Sequence, residues 1–463
     1  MFRLSKDTEM TLPLLQEFLD EHKKEVEERY KPLYDAYMSD HKILHAPKKP
    51  NYKPDNRIVV NFPKYIVDTT NGFFIGNPIK TVADDKKVSE FVEYLEQYND
   101  QDNKNEAISK TCSIYGKGYE LYYTDEESEL CIATLTPLES FMIFDDSIVE
   151  RPLYFVRRYT DRDNNEYGSI SNSYGVRYFK VTGGLDWLEH TDIKDVNTEG
   201  WKAHHFPGVP ATEFLENEER QGIFEGSVLS MCNAYNKAIS EKANDVDYFA
   251  DAYMKKLGGE KLEDEDVEFL RDNRIIDIPG EEAQGITLEF MERPCNDTLQ
   301  ENHLNRLERL IFQIGQTANA SDENFGTSSG IAMLYKMWNT SNRGKSKQRK
   351  FVSGMNRRYK LLFGHPASKV PADAWLQLHY QFTPNIPANL KEESEIAQNL
   401  EGITSHKTQL KALSIVDNVQ DELDTIEEEN AAPEKTIVDD LMFGKVPTTK
   451  PTEPAASGEV NEQ

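Results

Sequence analysis

From residue 324 to residue 372 the chain has no aspartate or glutamate, although it carries 81 acidic residues and a formal net charge of -28. That stretch instead holds ten lysines and arginines, eight of them from Arg343 to Lys360. A cationic segment in so acidic a chain needs a negative surface to meet. Two are physically sensible: nucleic acid, or the acidic face of another copy. Cysteine is scarce as well. Cys112, Cys131, Cys232 and Cys295 lie far apart and form no Cys-x-x-Cys pair. That argues against zinc and disulfides and reads as reduced core thiols in a cytosolic compartment. No run approaches the roughly 20 apolar residues that span a bilayer. Met1 to Leu15 carries Asp7 and Glu9 and no apolar run of signal length, so a secretory signal is not expected. A pI near 4.8 speaks against tight, sequence-independent DNA binding by the whole surface, because such binding relies on lysine and arginine at phosphates.

Catalytic patterns are missing too. Gly344-Lys345-Ser346 looks like the end of a phosphate-binding loop, but Asn339 stands where the first glycine belongs and the triplet sits inside a predicted helix. Gly116-Lys117-Gly118 lacks the third glycine of a dinucleotide fingerprint. His204-His205 has no third ligand nearby. Glu263, Asp264, Glu265 and Asp266 fall in a run with six acids between Glu260 and Glu268, which is the composition of solvated surface. An enzyme reading survives only as Asp264 and Asp266 holding Mg²⁺ in a DNA-processing site. A third reading is an acidic scaffold or adaptor that binds proteins through its tail. No cofactor is implied.

What the chain does have is helical periodicity. Residues 11 to 30 and 57 to 74 read as helices, the second ended by Gly76-Asn77-Pro78. After a helix over 105 to 115 come runs rich in aromatic and β-branched residues: 119–123, 130–135, 141–144, 153–159 and 176–181. They suit an antiparallel meander, so residues 56 to 225 read as an α+β domain. Ser227 to Leu257 is the clearest helix, with Val228, Cys232, Tyr235, Ile239, Ala243 and Val246 on one stripe. A second spans about Thr298 to Thr317. A polar loop follows, and Ser328 or Ser329 caps a third helix, the basic one, which stops near Gly364. Residues 389 to 429 read as helical. The composition from 430 to 463 is that of a disordered acidic tail, interrupted by the apolar patch Ile437 to Phe443. The fold class is therefore α+β, mainly helical. The two long helices bracket about 40 residues like the legs of a hairpin. Glu241, Asp245, Asp247 and Asp251 lie on or near the open face of the first leg. In a ring of identical chains such faces would line a channel and repel phosphate.

Several motifs in order and spacing carry a resemblance: Arg57-Ile58-Val59-Val60-Asn61-Phe62 with Gly72 to Pro78; Pro210 with Glu213-Phe214 and Asn217-Glu218-Glu219-Arg220; Ala234-Tyr235-Asn236; and Asn385-Ile386-Pro387. Over about residues 50 to 430 the chain resembles the portal proteins of tailed double-stranded DNA bacteriophages of Gram-positive hosts. The resemblance implies a non-enzymatic portal fold with wing, stem, clip and crown, assembled as a homo-oligomeric ring, twelve subunits in the common form. Behind an N-terminal helical arm (1–55), the wing would be 56–225 plus the basic helix (328–364). The stem would be 226–258 and 298–318, the clip 259–297, the tunnel loop 319–327 and the crown 365–429. It implies a place at a capsid vertex of the virion, after assembly in the host cytoplasm. DNA would be packaged and ejected through the channel. Partners would be the terminase large subunit, a head-completion or adaptor protein, and the major capsid and scaffolding proteins, with no membrane. On this reading Asn319, Ser321, Asp322, Glu323, Asn324 and Phe325 face DNA, although Phe325 would serve equally as an anchor on a neighbouring loop. Glu263 to Asp266 belong to the docking clip. The basic-helix cations Arg343, Lys345, Lys347, Arg349, Lys350, Arg357, Arg358 and Lys360 are expected to pair with an acidic neighbouring subunit rather than with DNA.

Overall fold

A computed structural model describes residues 1–50, 53–188, 200–250, 297–319, 335, 337–385 and most of 390–429, with three short strands between 254 and 290. The chain divides into two units, Met1–Asn385 and Ile386–Gln463. Among the described residues every sheet lies in the first.

The largest sheet runs in the order Phe2–Leu4, Ser140–Asp145, Pro152–Thr160, Glu166–Ser171, Gly175–Lys180, Lys202–Ala203, with Asp186–Trp187 also paired to Gly175–Lys180. The N-terminal strand joins in parallel and the rest is antiparallel. Side chains alternate faces along a strand, so a strand buried on both faces must be apolar throughout. Ser140–Asp145, buried along its whole length, is apolar from Phe141 to Phe144 and polar only at its two ends. Phe141 and Ile143 pack with Val156, Ile170 and Phe179 against Leu15, Phe18 and Leu19 of the helix Leu12–Glu25. Met142 and Phe144 face the other way, with Phe155, onto Tyr119, Leu135 and Ala211. The latter belong to a second, three-stranded antiparallel sheet in the order Ala211–Leu215, Lys117–Thr124, Leu130–Leu135. Its outer edge is covered by one side chain. Asn99 Nδ2 donates to the Leu130 carbonyl at 2.9 Å and its Oδ1 accepts from Ile132 N–H at 2.7 Å, which satisfies backbone groups an edge strand leaves open.

Two helices lie over the remaining face of the small sheet. Gln101–Tyr115 contributes Ile108 and Cys112; Trp338–Phe363 contributes Phe351, Met355, Tyr359 and Leu362, packed with Tyr122, Ile132 and Phe214. The second is the basic helix. It approaches closely because Gly354 faces the Phe214 ring, where a Cβ would sit 2.5 Å from ring atoms. Two of its cations go into the interior with it. Arg358 meets Glu120 in a two-pronged pair, Nη2 to Oε1 at 2.6 Å and Nε to Oε2 at 2.8 Å, with both side chains 0% exposed. Lys347 reaches Glu216 at 2.8 Å and donates to Ser113 Oγ at 2.7 Å and the Ser109 carbonyl at 2.9 Å. Burial alone would favour loss of the Arg358 proton. The Glu120 charge outweighs it, and the guanidinium pKa is raised.

The structure differs from the sequence expectation at two helix ends. The helix expected from Arg57 begins at Phe62, because Asn61 caps it by accepting from Lys64 N–H at 2.9 Å and residues 56–60 bond elsewhere. The first leg is Ser227–Ala250, and Met254–Leu257 is a strand paired in parallel with Ile275–Ile278 and antiparallel with Thr287–Phe290. Met-Lys-Lys-Leu contains no helix breaker, so the helical period runs past the end that sheet pairing sets. The basic helix is described from Trp338, and its expected start at Ser328 or Ser329 lies outside the described residues. Two further strands, Lys80–Ala83 and Leu378–Gln381, pair across the chain. In the second unit Leu390–Asn399 and His406–Leu410 are helical, in agreement with the periodicity there. Cys112 and Cys232 are buried free thiols, as expected, Cys131 is half-buried and free, and Cys295 lies outside the described residues. No helix among the described residues is long and apolar enough to cross a membrane.

Two stability predictions follow from the buried polar groups. Arg358→Met leaves the Glu120 carboxylate buried without its cation and should cost roughly 3–5 kcal/mol in denaturant unfolding. The double variant Glu120→Gln/Arg358→Met should recover much of that loss; equal losses in both would show that packing, not charge, holds this position. His22 is buried with its Nε2–H on the Pro137 carbonyl at 2.8 Å. Burial, opposed by that bond and aided by the charge of Arg158, pushes its pKa down to about 4. The unfolded state takes up a proton near pH 6.5 and the folded state does not until about pH 4, so stability is lost across that interval, by roughly 3 kcal/mol. His22→Gln keeps a donor and should flatten this part of the pH profile relative to the parent chain.

Candidate functional site: the leg helices and the basic helix

The leg helices Ser227–Ala250 and Asp297–Ile314 pack side by side. Gln300 Nε2 donates to Asp245 at 2.9 Å, and Lys242 pairs with Glu301. Near their base Phe62 lies edge-on to Tyr235 at 4.9 Å and to Phe312 at 5.7 Å. There Val228, Cys232 and Ile311 join Ile66, Val67, Tyr115 and Phe224 in one core.

The first leg is also clasped by the extended segment that precedes Phe62. Asn236, Ser240 and Asn244 stand at steps of four on the helix and are all buried. Their oxygens accept from the N–H groups of Val60 at 2.9 Å, Ile58 at 2.9 Å and Asn56 at 2.6 Å. The two periods fit: four helical residues rise about 6 Å and two extended residues about 6.6 Å. Every second N–H of the strand-like segment therefore meets one helical turn. Polar side chains inside an otherwise apolar stripe are explained by this ladder, since a buried N–H without a partner is costly.

The acids expected on the open face of the first leg have partners in the same chain. Glu241 pairs with Lys49 at 2.7 Å, and that hydrogen bond holds its carboxyl below the usual range. Asp245 accepts from Gln300, and Asp247 from Asn56 Nδ2 at 2.5 Å. The partners of Asp245 and Asp247 are neutral amides, so both pairs stay net negative, whereas Lys49 offsets Glu241. Asp251 lies outside the described residues, as do Ser321, Asp322, Glu323, Asn324, Phe325, Glu263, Asp264, Glu265 and Asp266. Asn319 donates to Glu308 at 3.1 Å. The turn leading to it is held from the basic helix. Arg343 donates to the Gly315 carbonyl and Thr340 Oγ1 to the Gln316 carbonyl at 3.1 Å. A cation beside the last carbonyls of the second leg complements the negative end of that helix.

The expected surface role of the basic-helix cations needs correction. Lys347 and Arg358 are 1% and 0% exposed and are neutralised by Glu216 and Glu120, so neither reaches a neighbour or DNA. Arg357 donates to the carbonyls of Ala211 at 3.2 Å and Val209 at 3.4 Å, and Arg343 to that of Gly315. Lys350 pairs with Glu218, and Lys360 lies 5.8 Å from the centre of the Trp375 ring. Lys345 and Arg349 remain, exposed and four residues apart, with no ion pair among the described residues. Three of the eight cations, Lys347, Lys350 and Arg358, thus meet negative partners within their own chain. The signal that could have located one of them was Glu120, a glutamate inside the strand-like run 119–123; Glu216, just past Ala211–Leu215, opens a polar run and gives no such signal.

The comparisons with known proteins agree with the resemblance. The family model described as phage portal protein, SPP1 Gp6-like, matches residues 16–436. The portal protein of Bacillus phage SPP1 is 23% identical over 408 residues, 81% of this chain and 76% of that protein. The portal protein of Clostridium phage phiCD119 is 22% identical over 403 residues, 82% of this chain and 86% of that one. Among solved structures, the neck of an empty GTA particle computed with C6 symmetry aligns with a TM-score of 0.44 and 12% identity, over 81% of this chain and 91% of the other.

The clasp makes a prediction of its own. Asn236→Leu keeps the branched shape of the side chain and removes the acceptor for Val60 N–H. It should cost about 1–3 kcal/mol and raise hydrogen exchange selectively at Ile58 and Val60. Unchanged exchange at those two amides would mean that the ladder does not hold the segment in solution.

Proposed function

The chain belongs to the SPP1 Gp6-like family of phage portal proteins, and on that premise we propose that it forms the ring at one capsid vertex through which the viral genome enters and leaves. The family is structural, which removes the metal-dependent DNA-processing reading and makes the chain a component of an assembly rather than an enzyme. The observation that carries the proposal is the family match across residues 16–436, nearly the whole chain. The paired leg helices form the stem, the segment between them the clip, the α+β part with the basic helix the wing, and residues 365–429 the crown. The stem passes into the clip at Met254–Leu257, where helix gives way to strand. Terminase docks on the clip during packaging and head-completion proteins dock there afterwards. Asp245 and Asp247 keep the stem negative, so a duplex slides past without an ion pair at each phosphate. The loop after Asn319 meets the DNA. Lys345 and Arg349 face a neighbouring subunit, because the other basic-helix cations are engaged internally.

Negative-stain imaging of the purified chain tests the central claim. Particles with cyclic symmetry and a central hole are expected, and a uniform monomer at micromolar concentration would overturn it. Lys345→Glu/Arg349→Glu should leave the melting temperature within about 2 °C, since exposed substitutions change stability by less than about 0.5 kcal/mol, and should lower the fraction of closed rings. Rings at parental yield would place those two cations elsewhere than at a subunit contact.

A further inference from the structure

A cleft of about 480 Å³ opens between the two sheets of the α+β part, away from the leg helices. One wall is formed by Leu121 and Tyr123 of the small sheet. The other is a row across three strands of the large sheet, Arg157 opposite Ser169 and Ser169 opposite Tyr178. Lys202 stands exposed at the rim.

Two features set this cleft apart. None of its sixteen lining residues is acidic, whereas 81 of the 463 residues in the chain are, a proportion that would place about three acids in a wall of that size. The second feature is the state of Arg157. Arg343 and Arg357 donate to backbone carbonyls and Arg358 to Glu120. Arg157 has a buried Nε without a hydrogen-bond partner and no ion pair among the described residues. Its guanidinium lies 5.1 Å from the centre of the Tyr159 ring, with the Tyr123 and Tyr178 phenols within reach of its charge. A half-buried cation without an anion is unfavourable and is regularly matched by a ligand.

We propose that this cleft binds an acidic peptide segment of a partner protein, one carboxylate seated on Arg157 and an adjacent aliphatic side chain against Leu121, Leu135 and Phe206. Guanidinium and carboxylate match in shape and charge, and the tyrosine walls exclude the water that would weaken the pair. A nucleic acid strand fits less well. It brings a charge with every nucleotide to a molecule of net charge -28 and finds only Arg157 and Lys202 opposite it. No residue of the leg helices lines the site.

Fluorescence anisotropy with the full-length protein tests it, using three labelled probes: a heptapeptide of alternating Leu and Asp, the same peptide with Asn for Asp, and a single-stranded thymidine oligonucleotide. The Asp peptide should bind at least tenfold more tightly than the Asn peptide, with an affinity that falls as salt is raised. Arg157→Gln should reduce that binding about tenfold, and Arg162→Gln, at an exposed arginine outside the cleft lining, should leave it unchanged. Lys202→Glu alters only the exposed rim and should weaken binding several-fold, which keeps the test intact if Arg157→Gln unfolds the domain. Equal affinity for the Asp and Asn peptides, no binding of either, or full binding by Lys202→Glu would overturn the proposal. Arg157-dependent binding of the oligonucleotide alone would overturn it too and assign the cleft to nucleic acid.

Discussion

Arg358 and Glu120 meet where neither side chain touches water, in the centre strand of the small sheet and in the last two turns of the helix laid across it. Placing two ions there is expensive unless both are hydrogen-bonded completely, and here they nearly are: Asn105 and Tyr122 add to the pair, and of the guanidinium nitrogens Nη1 alone has no partner. The pair fixes how far along the sheet the helix can slide. Lys347 and Glu216 repeat the arrangement three turns earlier, with Ser109 and Ser113 from a second helix taking the remaining protons of the ammonium. The two pairs thus join a helix, a sheet and a second helix that come from widely separated parts of the chain. They also explain why acids are absent around them. A carboxylate on that helix would point at carboxylates already in place on the sheet.

Local structure was legible wherever local chemistry decided it. Leu130–Leu135 appears with the bounds its alternation suggests. The helix Lys86–Tyr98 has Asp85 as its cap and Val88, Phe91, Val92 and Leu95 on one side, a pattern that a closer reading of the sequence would have found. The errors fall where a distant partner chooses. Ile58 to Val60 is apolar enough for a helix, yet its N–H groups are taken by Asn236 and Ser240. Lys80–Ala83 and Leu378–Gln381 are short and weakly patterned, and each becomes a strand because of the other. Glu166–Ser171, with Gly168 in its middle, becomes a strand through pairing on both sides.

For the basic helix, the sequence misjudged the direction in which side chains such as Lys347 and Arg358 act. Spacing cannot distinguish a cation that turns inward to a buried glutamate from one that faces outward, since both occupy a polar-looking helix. The motifs behind the family resemblance are clearer in three dimensions. Arg57 to Phe62 and Ala234 to Asn236 are distant in sequence and meet through Val60 with Asn236 and Phe62 with Tyr235. Gly76 and Asn385 meet likewise. The Asn385 N–H bonds to the Phe73 carbonyl at 3.0 Å, and a Cβ on Gly76 would lie 2.8 Å from the Asn385 amide nitrogen. Two pairs of motifs are two pairs of contacts.

The ladder between residues 56–60 and the first leg works as a vernier, one scale graduated in turns and the other in alternate residues. Inserting or deleting one residue anywhere from 57 to 60, or from 237 to 243, would misalign the graduations beyond the change. No side-chain substitution could restore the match. These stretches should therefore tolerate drift in residue identity far better than any change in length, and related chains should differ there by replacement while gaps gather in the connections on either side.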